Sequence, residues 1–163
     1  MITCLKESLW KQFGASIDML ENAITICPYE YWNTGRMFWN NAYHCLFFLD
    51  YYLSMDVNNF FPPPPFNFSE FEDVMPDKVY SKAELLDYLQ SNRDKCHQLI
   101  AGLNEEKLNS RWINESGTMN YSVLEILLYN MRHVQHHAAQ LNLLLRQGVN
   151  NAPDWFSRTE DAL

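Results

Sequence analysis

The chain has 163 residues, of which 47% are hydrophobic and 15% aromatic, enough material for the core of one domain. Twenty acidic against twelve basic side chains leave a formal charge of -8 with histidine neutral, a surface that repels phosphate backbones and anionic lipid headgroups. Nucleic acid is thereby excluded as an expected partner, and the scarcity of glycine, at five residues, and of proline outside one block argues against a β-sandwich.

Leu5, Leu9, Phe13, Ile17, Leu20 and Ile24 recur every three or four residues and predict an amphipathic helix from Leu5 to Ile26, ended by Pro28. A second helix is predicted from about Thr34 to Met55; its aromatics (Phe38, Trp39, Tyr43, Phe47, Phe48, Tyr51, Tyr52) mark it as buried on more than one side. Residues 56–80 cannot continue it, because Pro62 to Pro65 favour an extended conformation. Phe60, Phe61, Phe66, Phe68 and Phe71 make this stretch too apolar for an inter-domain linker, so it reads as a long crossover packed on the body. Ser81-Lys82-Ala83-Glu84 is a capping box that opens a third helix, running to about Leu103, and Asn104-Glu105-Glu106 begins one short turn. After a loop with Trp112, Gly117 and Asn120, a second capping box, Ser122-Val123-Leu124-Glu125, opens the longest helix, which continues to Gln147 with Gly148 as its stop. A tail, residues 148–163, carries Pro153, Trp155 and Phe156 and is expected to dock. Four long helices and one crossover predict an all-α four-helix bundle in a single domain spanning 1–163.

Cys4, Cys27, Cys45 and Cys96 form no C-x-x-C pair and read as reduced thiols. No apolar leader opens the sequence, and no hydrophobic run approaches the roughly 18 residues a membrane span needs, so the expected location is cytoplasmic, with no membrane partner. The N-x-S/T triplets at Asn67, Asn114 and Asn120 are then chance matches.

Three of the five histidines crowd into His133-Val134-Gln135-His136-His137-Ala138-Ala139-Gln140. At about 100° per residue, setting His133 at 0° places His137 near 40°, Gln140 near -20° and His136 near -60°, on the side that carries Ile126 and Leu144. The histidine face is therefore read as the inward face. An i, i+4 pair such as His133/His137 can hold one metal ion between adjacent turns, with a third ligand from another helix, and His44 is the candidate. From spacing alone the window reads equally well as a set of hydrogen-bonded core histidines, and His44 by itself as a satisfied core residue. Cys45 points away from His44 and belongs to the core; His97 needs no functional role; Asp50 and Glu125 fall off the histidine faces, and no acidic residue stands out as a general base.

Trp39-Asn40-Asn41-Ala42-Tyr43-His44, the leucine-rich third helix after Ser81 and the H-x-x-H-H-x-x-Q window together resemble the DinB-like superfamily of YfiT-type metalloenzymes, over nearly the whole chain and in the same order of elements. Ala139 stands where those sequences commonly have glycine, a small change that leaves the histidines untouched. The resemblance implies up-down-down-up connectivity with a long crossover between the second and third helices. It also implies one divalent ion, zinc or nickel, held by His44, His133 and His137, and a homodimer. Some relatives use a low-molecular-weight thiol such as bacillithiol or mycothiol.

Three neutral imidazoles leave a coordination position open, the arrangement of catalytic zinc, where a bound water or thiol becomes nucleophilic. The expected function is metal-assisted chemistry on a small molecule, either thiol-dependent S-transfer or hydrolysis. Asn41, His136 and Gln140 are candidates for supporting the ligands or orienting substrate, or simply for satisfying buried polar groups. The alternative is a non-catalytic bundle with a structural or vestigial metal site that serves as a binding module.

Overall fold

The computed structural model describes residues 2–34 and 37–163, so Gly35 and Arg36, inside the predicted span of the second helix, lie outside the described residues. The elements in chain order are α1 (Ile2–Ile26), α2 (Tyr29–Trp32), α3 (Phe38–Leu53), a 3-10 turn (Val57–Asn59), α4 (Ser69–Glu72), α5 (Lys82–Ala101), α6 (Glu105–Asn109), β1 (Arg111–Ile113), β2 (Asn120–Ser122) and α7 (Val123–Val149).

The four long helices α1, α3, α5 and α7 bury the stripes that their periodicity predicts, α1 through Leu9, Phe13, Ile17, Leu20 and Ile24. α1 and α3 each pack on both α5 and α7 and so lie across the diagonal from one another. Paired residues give the directions. Trp10 meets His97, Asp18 meets Arg93 and Lys82 reaches the Thr25 carbonyl, so α1 and α5 are antiparallel. Trp39 meets Tyr80 and Asp50 meets Lys95, so α3 and α5 are parallel. Tyr52 meets Tyr129 and His44 meets His137, so α3 and α7 are antiparallel. The connectivity is up-down-down-up, and two parallel neighbours in sequence require the long crossover.

That crossover packs on α3 and α5. Phe66 stacks on Tyr43 at 5.6 Å and on Tyr88 at 4.5 Å between ring centroids, and Phe60 is buried. Phe61 is exposed, so the five phenylalanines do not all turn inward. The Tyr43 hydroxyl donates to the Asn67 carbonyl (2.6 Å) and the Asn67 side chain accepts from the Ser69 N–H (3.0 Å), which fixes the start of α4 over the middle of α3. Buried amides tie the helices together at the same level: Asn92 donates to the Leu46 carbonyl and Asn130 to the Leu49 carbonyl, each at 3.0 Å.

Several boundaries differ from the sequence reading. α3 starts at Phe38 and ends at Leu53, and Tyr29–Trp32 forms a separate short helix before it. The loop holding Trp112 and Asn120 contains a two-stranded antiparallel ribbon in which Trp112 pairs with Tyr121, so the described residues are all-α but for this hairpin. Ser81 and Glu84 form both halves of their capping box, whereas at Ser122 the hydroxyl accepts from the Glu125 N–H while its own backbone ends β2. Gly148 is not the stop. The helix runs on to Val149, and Asn150 takes the left-handed conformation at φ 52°. Gly148 instead makes room for Tyr31, whose Cζ would lie 2.2 Å from a Cβ there. The tail docks through Thr159 and Asp161, while Trp155 stays exposed.

Candidate metal centre

The antiparallel packing of α3 on α7 brings His44 opposite His133 and His137. One nitrogen from each of the three rings lies within 4.8 Å of the others. The ring centroids are 4.8 Å apart for His44 and His137, 4.5 Å for His133 and His137, and 5.8 Å for His44 and His133. The three histidines singled out as ligands from the sequence therefore converge, and the cluster can hold one metal ion.

Electrostatics keep the α7 pair neutral. Burial pushes His133 down to about 3 and His137 down to about 4 from the ordinary 6.5, and the neighbouring imidazoles push in the same direction. Their Nδ1 atoms are buried with no hydrogen-bond partner in the protein, as is Oε1 of Gln140. Gln140 sits beside His137 and favours its protonated form, yet no hydrogen bond of good geometry joins them. Unpartnered buried polar atoms of this kind cost about 1–3 kcal/mol each, and a cation between neutral imidazoles is the group that would satisfy ring nitrogens. The donor set thus fits a divalent ion.

His44 has a partner that the sequence reading missed. Its Nδ1 lies 2.6 Å from Oε2 of Glu70, in α4 of the crossover, and the Glu70 side chain is only 10% exposed. A carboxylate only accepts, so the imidazole donates from Nδ1 and keeps the Nε2 lone pair free. A carboxylate behind a histidine is the usual support of a metal ligand. The available signal was Asn67-Phe68-Ser69-Glu70: an Asx turn starting a helix, with an acid in its first turn.

The other candidates separate. His136 is exposed, its ring edge-on to His137 at 5.2 Å, so the inward reading fails for it: at the margin of the face it turns to solvent. Asn41 and Gln140 line a shallow groove of about 450 Å³ with Leu143 and Leu144. Cys45 is fully buried in the core with its thiol pKa pushed up by burial. Asp50 is occupied by Tyr88 (2.9 Å) and Lys95 (2.6 Å), and His97 contacts Trp10 and the Ala162 carbonyl, consistent with neither having a place in the site.

Aromatic rings wall the cluster on its other side. Phe48 lies 4.9 Å from His44 and 5.9 Å from His133, and Tyr52 lies 5.7 Å from His133. Beyond them a groove of about 630 Å³ runs to the loop of the hairpin, lined among others by Tyr51, Phe71 and Glu115. No helix among the described residues is long and apolar enough to cross a membrane. No curated protein and no solved structure gives a significant match to the chain. The profile of one family does match, over residues 14–141, which takes in all three clustered histidines and Glu70, and on that match the chain belongs to the DinB superfamily.

Proposed function

We propose that the protein is a metal-dependent enzyme that acts on a small molecule at the His44/His133/His137 cluster. The observation that carries this reading is the convergence of three half-buried histidines, two of them held neutral with unpartnered Nδ1 atoms, beside a groove large enough for a substrate. His44, His133 and His137 would hold the ion, and Glu70 would fix the His44 ring. Bound there, a divalent ion such as zinc or nickel supplies Lewis acidity that makes a water or a thiol nucleophilic near neutral pH.

The chain's own groups do the rest. Phe48 and Tyr52 restrict water around the cluster, which strengthens electrostatic interactions inside it. Burial, and after it the hydrogen bond with Tyr129, raise the Tyr52 pKa, so a neutral phenol lies beside His133. Glu70 accepts from Nδ1 of His44, which fixes the tautomer and leaves Nε2 as the free nitrogen. Exposed His136, beside His137, is placed to carry a proton between the site and solvent.

The reaction is thiol-dependent S-transfer or hydrolysis, the protein acts as a homodimer, and neither nucleic acid nor membrane is a partner, in keeping with the charge of -8. Metal analysis of protein purified without an affinity tag is the primary test. One divalent ion per chain, lost in His44→Ala, is expected; no stoichiometric metal would point to the non-catalytic binding module. Assays pairing low-molecular-weight thiols with electrophiles, against ester and amide hydrolysis, then separate the two reactions, and sedimentation checks the dimer.

A further inference from the structure

The groove beside the histidine cluster has an unusual wall. Phe48, Tyr51 and Phe71 stand nearly perpendicular to one another, with interplanar angles of 79° for Phe48 and Tyr51, 79° for Phe48 and Phe71, and 80° for Tyr51 and Phe71. Their centroids are 6.4, 5.9 and 4.9 Å apart in the same order, edge-to-face packing that gathers the three rings at one corner of the groove. Phe71 is 47% exposed, a large apolar ring left open to solvent at the mouth. It comes from α4, one residue after Glu70, so one short segment both backs His44 and shapes the groove.

The charge lining the groove has one sign. Glu115, in the loop between β1 and β2, is the single charged residue among those that line it, and it lies near enough to Tyr51 to disfavour ionisation of the phenol. Asn114, the neighbouring polar group, is committed to the hairpin loop through Ser116 (3.0 Å), Thr118 (3.1 Å) and the Met119 N–H (2.9 Å). Three aromatic rings, one carboxylate and no lysine or arginine among the lining residues make a site of negative potential with apolar walls. A cation with a greasy shell matches it, whereas an anion meets repulsion without a donor.

We infer that the Phe48/Tyr51/Phe71 corner, with Glu115 at its rim, binds an organic ammonium group and thereby orients a cationic substrate toward the histidine cluster. This rests on the reading of that cluster as the reaction centre, because Phe48 belongs to the corner and also lies against His133. Quaternary or heavily substituted ammonium suits the corner best, since ring faces stabilise charge without accepting conventional hydrogen bonds.

The test uses benzyltrimethylammonium and its uncharged carbon isostere, neopentylbenzene, titrated into zinc-loaded and metal-free full-length protein, with zinc affinity measured separately for every variant. The cation is expected to bind about tenfold more tightly than the isostere, and Glu115→Gln and Phe71→Ala each to weaken it about three- to tenfold. Glu115 is solvent-exposed and in the hairpin loop, so Glu115→Gln should keep the parent's fold and zinc affinity, while the zinc affinity of Phe71→Ala shows whether α4 still backs His44 when the ring is removed. Equal binding of cation and isostere, no binding of either at millimolar concentration, or a cation affinity unmoved by both substitutions overturns the inference. Any of these results with zinc binding intact leaves the metal centre standing, whereas loss of zinc binding in the parent protein sinks the reading of the cluster instead.

Discussion

Glu70 Oε2 lies 2.6 Å from His44 Nδ1, so the crossover holds one of the three clustered histidines from outside the helix that carries it. The contact predicts that the loop segment, and not the bundle alone, sets metal affinity. Glu70→Gln keeps an acceptor near Nδ1 and loses the charge, and should weaken zinc binding about tenfold; Glu70→Ala removes both and should cost up to about 100-fold. Glu70→Asp, one methylene shorter, should fall between Gln and the parent. Because the Glu70 carboxylate is largely buried against His44, Glu70→Ala should also destabilise the metal-free protein by about 1–3 kcal/mol, whereas Glu70→Gln should move its unfolding midpoint least. Competition titration against a chromophoric chelator reads the affinities; a flat series would show that Glu70 only decorates the site.

The α7 histidines make the metal-free protein sensitive to acid. In the folded chain His133 and His137 take up a proton only near 3 and 4, but once unfolded they do so near 6.5. Between those limits the unfolded state binds more protons, so stability is intact above about pH 6.5 and declines as the pH falls toward about 4. From pH 7 to pH 5 the two groups together should remove up to about 4 kcal/mol, about 2 kcal/mol each before solvent screening of the partly exposed rings. Urea unfolding of the metal-free protein at both pH values gives the loss, and in His133→Gln the difference should shrink by about half. An unchanged difference in that variant would mean that other groups carry the acid response.

Much of the bundle was legible because its signals are periodic. Leu9, Phe13, Ile17, Leu20 and Ile24 repeat at the helical period and all are buried, and i, i+4 spacing put His133 and His137 side by side before any tertiary structure was known. Glu70 and Phe71 follow no such period. They reach the site because Tyr43 and Asn67 pin the crossover over α3, a tertiary contact with no counterpart in local sequence. The same holds for Gly148, which looks like a helix terminator by residue type but is a clearance for Tyr31, 117 positions away. His136 shows the limit of angular reasoning. About 60° from His133 is enough to carry a side chain across the edge of the buried face.

Gly148 therefore gives a prediction opposite in sign to helix propensity. Alanine in a helix is favoured over glycine by up to about 1 kcal/mol, yet here its Cβ would fall 2.2 Å from Cζ of Tyr31, whose hydroxyl donates to the Leu144 carbonyl at 3.0 Å. The ring must swing out and surrender that bond, so Gly148→Ala should destabilise the protein by about 1–3 kcal/mol. In a Tyr31→Ala background the obstacle is gone, and the same change should become neutral or stabilising. Chemical unfolding of the four members of this cycle measures the reversal; a stabilising Gly148→Ala with Tyr31 present would refute the steric account.

Arg93 joins three parts of the chain. The residue is 7% exposed, and its guanidinium pairs with Asp18 and Glu21 of α1 and, at 3.0 Å, with Asp161 of the tail. The partners are not equivalent: Asp161 is 60% exposed and Asp18 only 16%. Asp161→Ala removes a solvent-screened pair and should cost under about 1 kcal/mol, while Arg93→Ala strands Asp18 against the bundle and should cost about 2–4 kcal/mol. The tail has further anchors, since Trp10 donates to the Asp161 carbonyl, Lys11 to the Thr159 carbonyl, and Thr159 returns its N–H to Lys11. Loss of the Asp161 carboxylate alone should accordingly leave the Thr159 amide protected from hydrogen exchange, and loss of Arg93 should speed exchange across both the tail and the facing turns of α1. If Asp161→Ala proved as damaging as Arg93→Ala, the tail pair would be the dominant member of the cluster and the stranded Asp18 would not account for the cost.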